Sequence, residues 1–182
     1  KLAGVNPIVV HGGGPQIAQM LKKHDIKSEF VHGLRVTDQA TVEIVEMVLA
    51  GAINKEIVSA INRQGGKAVG ICGKDANLMV ARKITEMPDP KTGVVTKVDL
   101  GYVGDPLQVN PHIVDVISKS DLIPVIAPIG ISRDRRRQDL DRDPTLQLRV
   151  RRAEHLAHAA FTDLGGDLVD AEAGAGGESQ GW

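Results

Sequence analysis

The chain has 182 residues, 22 Lys and Arg against 23 Asp and Glu, and a formal net charge of -1. That balance argues against a protein whose main business is coating nucleic acid, and the single cysteine, Cys72, argues against a disulfide framework. No apolar run reaches the roughly 18 residues of a membrane span and no signal peptide is visible, so a soluble cytoplasmic chain is expected.

Aromatic residues make up only 2% of the chain, so the core must come from Val, Ile, Leu and Ala. Asn6–His11 (NPIVVH) is a short apolar run ending at three glycines, as a buried parallel strand does. Pro15 opens a helix to about His24, with Gly14 as its cap and Ile17, Met20 and Leu21 on one stripe. Glu29–Val31 and Leu34–Val36 read as short extended pieces around Gly33. Thr37 as cap and Asp38 as first-turn acid then begin the longest periodic segment, Thr37–Arg63. Its apolar positions, among them Ile44, Val45, Val48, Leu49, Ile53 and Ile57, recur at helical spacing. Gly51 interrupts that stripe and allows a bend, and Gln64-Gly65-Gly66 ends it.

Ala68–Ile71 is a second buried strand. Leu78–Ile84 and Val94–Leu100 flank Pro88, Pro90 and Gly93, which suggests that they pair as a β-hairpin. Asn110 caps a helix starting at Pro111, and Ile123–Pro128 (IPVIAP) is another buried strand. Strands alternating with helices predict an α/β fold with a mostly parallel, layered sheet.

The chemistry concentrates at His11-Gly12-Gly13-Gly14-Pro15, between a strand and a helix. Glycines let backbone N–H groups approach an anion closely, and the helix start adds free amides and a positive dipole end. Such a nest suits a phosphate or a developing oxyanion; a tight turn that binds nothing fits the triplet equally well. Three familiar motifs fail. A dinucleotide fingerprint would need glycine where Ile17 stands, and a P-loop ending at Gly73-Lys74 would need glycine at Ala68 and a hydroxyl at Asp75. An esterase would need a nucleophile elbow, and Gly130-Ile131-Ser132 ends in Asp134.

Arg35, among apolar neighbours ahead of the long helix, is a second candidate, because its planar fork suits a carboxylate; an ion pair with a surface acid is the commoner fate. Gly101–Asp105 (GYVGD) places the only tyrosine, Tyr102, between Gly101 and Gly104, as a mobile flap or an ordinary turn would. Cys72, with no histidine near it in sequence, reads as a small buried residue.

The vocabulary changes near residue 131. All lysines lie at or before Lys119, most arginines at or after Arg133, and no isoleucine follows Ile131. Arg133, Arg135, Arg136 and Arg137 are interleaved with Asp134, Asp139, Asp141 and Asp143, which points to a solvated segment rather than a nucleic-acid patch. The abruptness is what a shifted reading frame produces, so residues 132–182 are expected to be a disordered or frame-shifted tail without function. Within it Glu154–Phe161 has the makings of a short helix, Ala173–Gly181 reads as disordered, and His155 and His158 are spaced for a metal but more often face solvent.

NPIVVHGGGPQI, GLRVTD, VEMVLAGAINKEIV, RQGGKAVGICGKD, GYVGD and IPVIAPIG together resemble the acetylglutamate kinases of the amino-acid kinase family, from about Leu2 to Ile131. The resemblance implies a three-layer α/β/α sandwich, here incomplete, with residues 1–131 forming the acylamino-acid-binding, dimer-forming part. It implies transfer of phosphate from ATP, with Mg2+, to the side-chain carboxylate of N-acetyl-L-glutamate in arginine biosynthesis. On that pattern Gly12, Gly13 and Gly14 form the phosphoryl loop, and Gly13, Gly14 and Arg35 bind substrate, Arg35 at its α-carboxylate. Tyr102 and Gly104 belong to a lid, the 37–63 helix joins a homodimer, and no protein metal ligand, nucleic acid or membrane is involved.

Several family features have no counterpart here. The first family lysine belongs to an opening strand that Lys1 does not match, and after Pro128–Gly130 an Asn- and Asp-bearing segment gives way to SRDRRRQDL. The nucleotide-binding half with the second lysine is absent as well, so the chain as written is expected not to transfer phosphate. A non-catalytic N-acetylglutamate-binding module and a related carboxylate or carbamate kinase are the alternatives.

Overall fold

The computed structural model describes residues 4–133, 145–148 and 168–170. In chain order the apolar runs and periodic segments become β1 (Ile8–Val10), α1 (Gly14–Lys23), β2 (Phe30–Val31), β3 (Leu34–Arg35) and α2 (Gln39–Glu46). A π-helical segment, Met47–Ile53, joins α2 to α3 (Asn54–Arg63). Then come β4 (Ala68–Cys72), β5 (Met79–Lys83), β6 (Glu86–Pro88), β7 (Val95–Lys97), β8 (Val103–Val109), α4 (His112–Lys119) and β9 (Ile123–Ala127). Three further strands follow, β10 (Ile129–Ser132), β11 (Thr145–Leu148) and β12 (Leu168–Asp170).

The central sheet has the order β12-β1-β9-β4, and every pairing in it is parallel. All five residues of β9 are buried, which is why that strand reads as a continuous apolar run. One helical layer packs Ile17 and Leu21 of α1 and Val45 of α2 with Cys72 and Ala127. The opposite layer packs Val114 of α4 with Ile8, Val10 and Ile126. Leu21 and Val114 are wholly buried, each contributing about 1.5–3 kcal/mol of apolar transfer. The α/β/α sandwich with a parallel sheet is therefore present.

A second unit is mixed rather than parallel. Strands β10, β11, β8 and β5 close into a small barrel, in which β5 and β8 pair antiparallel while β10 joins β5 in parallel. Leu107 is the extra residue on β8, opposite a register shift between Val80 and Ala81, and it bulges outward, partly exposed.

The structure corrects several expectations. Leu78–Ile84 does not pair with Val94–Leu100: the Pro88–Gly93 turn joins β6 to β7, and β5 finds its partner in β8. Turn residues mark where a chain reverses, not which flanking run takes the pairing. Asp38, not Thr37, caps α2, its carboxylate accepting from the Thr41 N–H at 2.8 Å. Gly13 precedes α1 as its N-cap, with Gly14 already helical.

The tail from residue 132 is also not featureless. Leu146 and Leu148, two apart on β11, fill the same core as Ile8, Val10 and Met79, and the β12 backbone pairs with β1. Burying two leucines is reason enough for 145–148 to be held in place. Arg133 lies beside β5, its N–H donating to the Ala81 carbonyl at 2.9 Å. Lys1, Arg135–Arg137, His155, His158, the Glu154–Phe161 helix and the Ala173–Gly181 stretch lie outside the described residues.

Candidate functional site

Because β1, β9 and β4 run parallel, their C-terminal ends share one edge, the side on which α/β sheets bind ligands. His11–Gly14 leaves β1 at this edge and turns directly into α1. The amides of Gly12, Gly13 and Gly14 donate to no other described residue, and the Gly13 carbonyl already accepts the first helical bond, from Ile17 N–H at 2.9 Å. Three free donors thus meet the positive end of a helix.

The three glycines are not equivalent. A side chain at Gly13 would press on Ile53 Cδ1 and stand 3.0 Å from Leu49 Cδ2, so those two side-chain ends would have to shift to admit it. At Gly12 and Gly14 an added carbon would meet nothing within 4 Å. Those two positions face open space, where a ligand has to approach.

The wall behind Gly13 is the π-helical segment. A π turn carries an extra residue per turn and often marks a functional position. Here it sets Leu49 and Ile53 against the corner and starts α3 with Asn54, a polar side chain with no exposed surface. Asn54 Nδ2 donates to Val125 O at 3.0 Å and reaches His11 Nε2 at 3.2 Å, while Asn54 Oδ1 accepts from Lys55 Nζ at 3.1 Å. His11 Nδ1 lies 3.0 Å from the Gly12 carbonyl. Burial lowers the His11 pKa, favouring the neutral imidazole.

Arg35 presents a donor of another kind. It ends β3 buried, its Nη1 donating to Ser28 Oγ and its guanidinium carbon 4.6 Å from the centre of the Phe30 ring. Two ion pairs seen among the described residues, Lys74–Glu46 and Lys83–Asp99, do not include Arg35. Burial pulls its pKa down, yet a guanidinium stays charged. Through Thr37, whose Oγ1 donates to the Arg35 carbonyl at 3.1 Å, it leads into Asp38 and α2. No hydrogen bond joins Arg35 to the glycine corner among the described residues.

Tyr102 and Gly104 are placed differently from a free flap. Tyr102 N–H donates to the Thr37 carbonyl at 2.7 Å. Gly104 lies within β8, paired with Lys83 on one side and Leu148 on the other. Gly101 has φ +67° and packs against the Thr37 carbonyl, so only glycine fits that crossing. Gly101 and Tyr102 are thus held to Thr37, while Gly104 belongs to the barrel strand β8.

Sequence reasoning missed Asn54 and the use made of His11. A signal existed: an asparagine directly follows Ile53 in the longest apolar stripe, where only a buried partner justifies a polar group. Lys74 was also passed over; its ammonium binds Glu46 at 2.9 Å and Thr145 Oγ1 at 3.1 Å, tying β11 to the end of α2. Cys72 is buried and its thiol pKa is pushed up by that burial, as suits a packing residue.

Comparison with known proteins places this geometry. The profile of the amino acid kinase family matches residues 1–148. An acetylglutamate kinase of Parvibaculum lavamentivorans is 61% identical over 144 residues, 79% of this chain and 47% of its own length. One from Rhodospirillum centenum is 56% identical over 144 residues, again 79% of this chain and 47% of its own. The chain thus spans about half the length of these curated relatives. Among solved structures, a Streptococcus mutans protein superposes with TM-score 0.61 at 23% identity, over 84% of this chain and 53% of that one. N-acetylglutamate synthase of Neisseria gonorrhoeae, complexed with coenzyme A and N-acetyl-glutamate, gives TM-score 0.61 at 19% identity, over 84% of this chain and 31% of its own; both superpositions speak for the fold. With a parallel sheet, a glycine corner at its C-terminal edge and a family match running through β11, this chain belongs to the amino acid kinase family.

Proposed function

We propose that the chain carries the acceptor-binding half of an acetylglutamate kinase, the enzyme that phosphorylates the side-chain carboxylate of N-acetyl-L-glutamate with ATP in arginine biosynthesis. The observation that carries this reading is the corner itself: free amides of Gly12, Gly13 and Gly14 at a helix start, with Gly12 and Gly14 open to approach. Two anions, a carboxylate and a phosphoryl group, have to be brought together, and fixed N–H donors lower that cost without having to reorganise. Gly13 and Gly14 bind the reacting end of the acceptor, Gly12 completes the phosphoryl loop, and Arg35 takes the α-carboxylate in a bidentate grip.

Magnesium arrives chiefly on nucleotide phosphates; among the described residues no group of three His, Cys, Asp or Glu side chains is gathered for a cation. The described residues also bring no lysine or arginine into hydrogen bonding with the corner, so the chain is expected to bind the acceptor without turning it over. Met47, 60% exposed on the π segment, and its exposed neighbours Gly51 and Ala52 give the 37–63 helix an outward face for a second copy. No helix among the described residues is long and apolar enough to cross a membrane, and a cytoplasmic setting suits the reaction.

Calorimetry with N-acetyl-L-glutamate and with ATP, beside a coupled ADP-release assay, tests this. Binding of the acetylated acid without ADP release is expected. No affinity for it would overturn the proposal, and substrate-dependent ADP release would overturn the expectation of inactivity. Binding of the acid with none of ATP favours the non-catalytic module.

A further inference from the structure

Beneath the glycine corner runs a buried chain of hydrogen bonds that anion binding alone does not explain. Asn54 Nδ2 faces two carbonyls, Val125 O at 3.0 Å and Ile71 O at 3.4 Å, as well as His11 Nε2 at 3.2 Å. Only the amide nitrogen can sit among those acceptors, and Oδ1 is correspondingly left for Lys55 Nζ. His11 Nε2 must then be the acceptor, because an imidazolium would set one N–H against another. The ring proton therefore sits on Nδ1 and is donated to the Gly12 carbonyl, 3.0 Å away.

That last bond has a geometric consequence. The Gly12 C=O and the Gly13 N–H belong to one planar trans peptide and point in opposite directions. Gly12, with φ and ψ otherwise free of side-chain restraint, has no other described partner for this carbonyl. We propose that His11, donating through Nδ1 and held by Asn54, is the positioning residue that turns the Gly13 amide toward the bound anion. The π segment serves the same purpose by delivering Asn54 to the carbonyls of Val125 in β9 and Ile71 in β4. The polarising chain runs Lys55, Asn54, His11, Gly12, each donor strengthening the next. This inference rests on the corner being the acceptor site.

The test uses the whole chain with two readouts. Ring 15N NMR of His11 is expected to show a neutral imidazole protonated at Nδ1; a proton on Nε2 overturns the proposal. Calorimetry with N-acetyl-L-glutamate then compares His11→Leu, which removes the donor, with His11→Asn, whose amide restores a donor near the Nδ1 position. Affinity should fall about tenfold in His11→Leu, the worth of one oriented hydrogen bond, and return to within about threefold of wild type in His11→Asn. Wild-type affinity in a folded His11→Leu, or equal losses in both variants, overturns it. If His11→Leu fails to fold, His11→Asn decides, since a tenfold loss there is the contrary result. If wild type binds no N-acetyl-L-glutamate, the acceptor reading falls, and the ring tautomer alone decides whether His11 orients the corner.

Discussion

The glycine corner and the Arg35 ribbon, proposed to hold the two ends of one acceptor, present their donors by opposite means. At the corner the donors are main-chain amides, fixed by α1, by the π segment and by a buried neutral imidazole. Arg35 presents a full charge, buried on Phe30 and hydrogen-bonded to a serine hydroxyl. Amides carry no net charge to desolvate and hold their direction through the reaction, so they suit a group whose charge changes. A guanidinium pulls hard on any carboxylate and suits the end of the acceptor that does not react.

Substitutions can break that contrast. Gly13→Ala sets a methyl against the ends of the Ile53 and Leu49 side chains, which must shift, so a stability loss of about 1 kcal/mol together with loss of acceptor binding is expected in denaturant titration and calorimetry. Gly14→Ala meets no atom within 4 Å; its stability should stay within about 0.5 kcal/mol of wild type while affinity still falls. If both glycine variants lost only stability, the corner would be a turn and not a site.

Arg35→Ala should weaken N-acetyl-L-glutamate binding by about 1.5–3 kcal/mol, the range for a hydrogen bond to a charged group. Arg35→Lys should recover only part of it, because an ammonium cannot match the planar fork. Unchanged affinity in Arg35→Ala would remove the charged half of the comparison.

Acid sharpens it further. Burial holds the His11 pKa below its unfolded value of about 6.5, so the unfolded chain takes up the proton first as pH falls. The His11 contribution to stability is therefore complete above that value and drains away as pH drops through it toward the folded pKa. Denaturant midpoints measured from pH 7 downward should fall less steeply in His11→Asn. The smallest effect belongs to the strand that locks the barrel: Thr145→Val removes a hydroxyl from the half-exposed Lys74–Glu46 pair, a loss of about 1 kcal/mol or less, read by thermal melting.

Much of this was already legible along the chain. A strand, three glycines and a proline-led helix lie within twenty residues, so β1, the corner and α1 follow from neighbours in sequence and from what glycine and proline allow. Helical spacing likewise located the long segment as Thr37–Arg63, one residue early at its start, and the family resemblance added roles for Gly13, Gly14 and Arg35. Periodicity could not show that Met47–Ile53 winds as a π turn, because apolar residues satisfy either winding until something packs against them.

Tertiary structure decided the rest. Whether β5 pairs with its near neighbour or with β8 depends on which face fills the barrel, a matter of contacts remote in sequence. Leu146 and Leu148 look unremarkable amid arginines and aspartates until they meet Ile8 and Val10. Asn54 and His11, forty-three residues apart, acquire a shared purpose only when α3 crosses the ends of β1 and β9. Local propensity is written residue by residue, whereas a buried polar group declares its role only through the partner that folding brings to it.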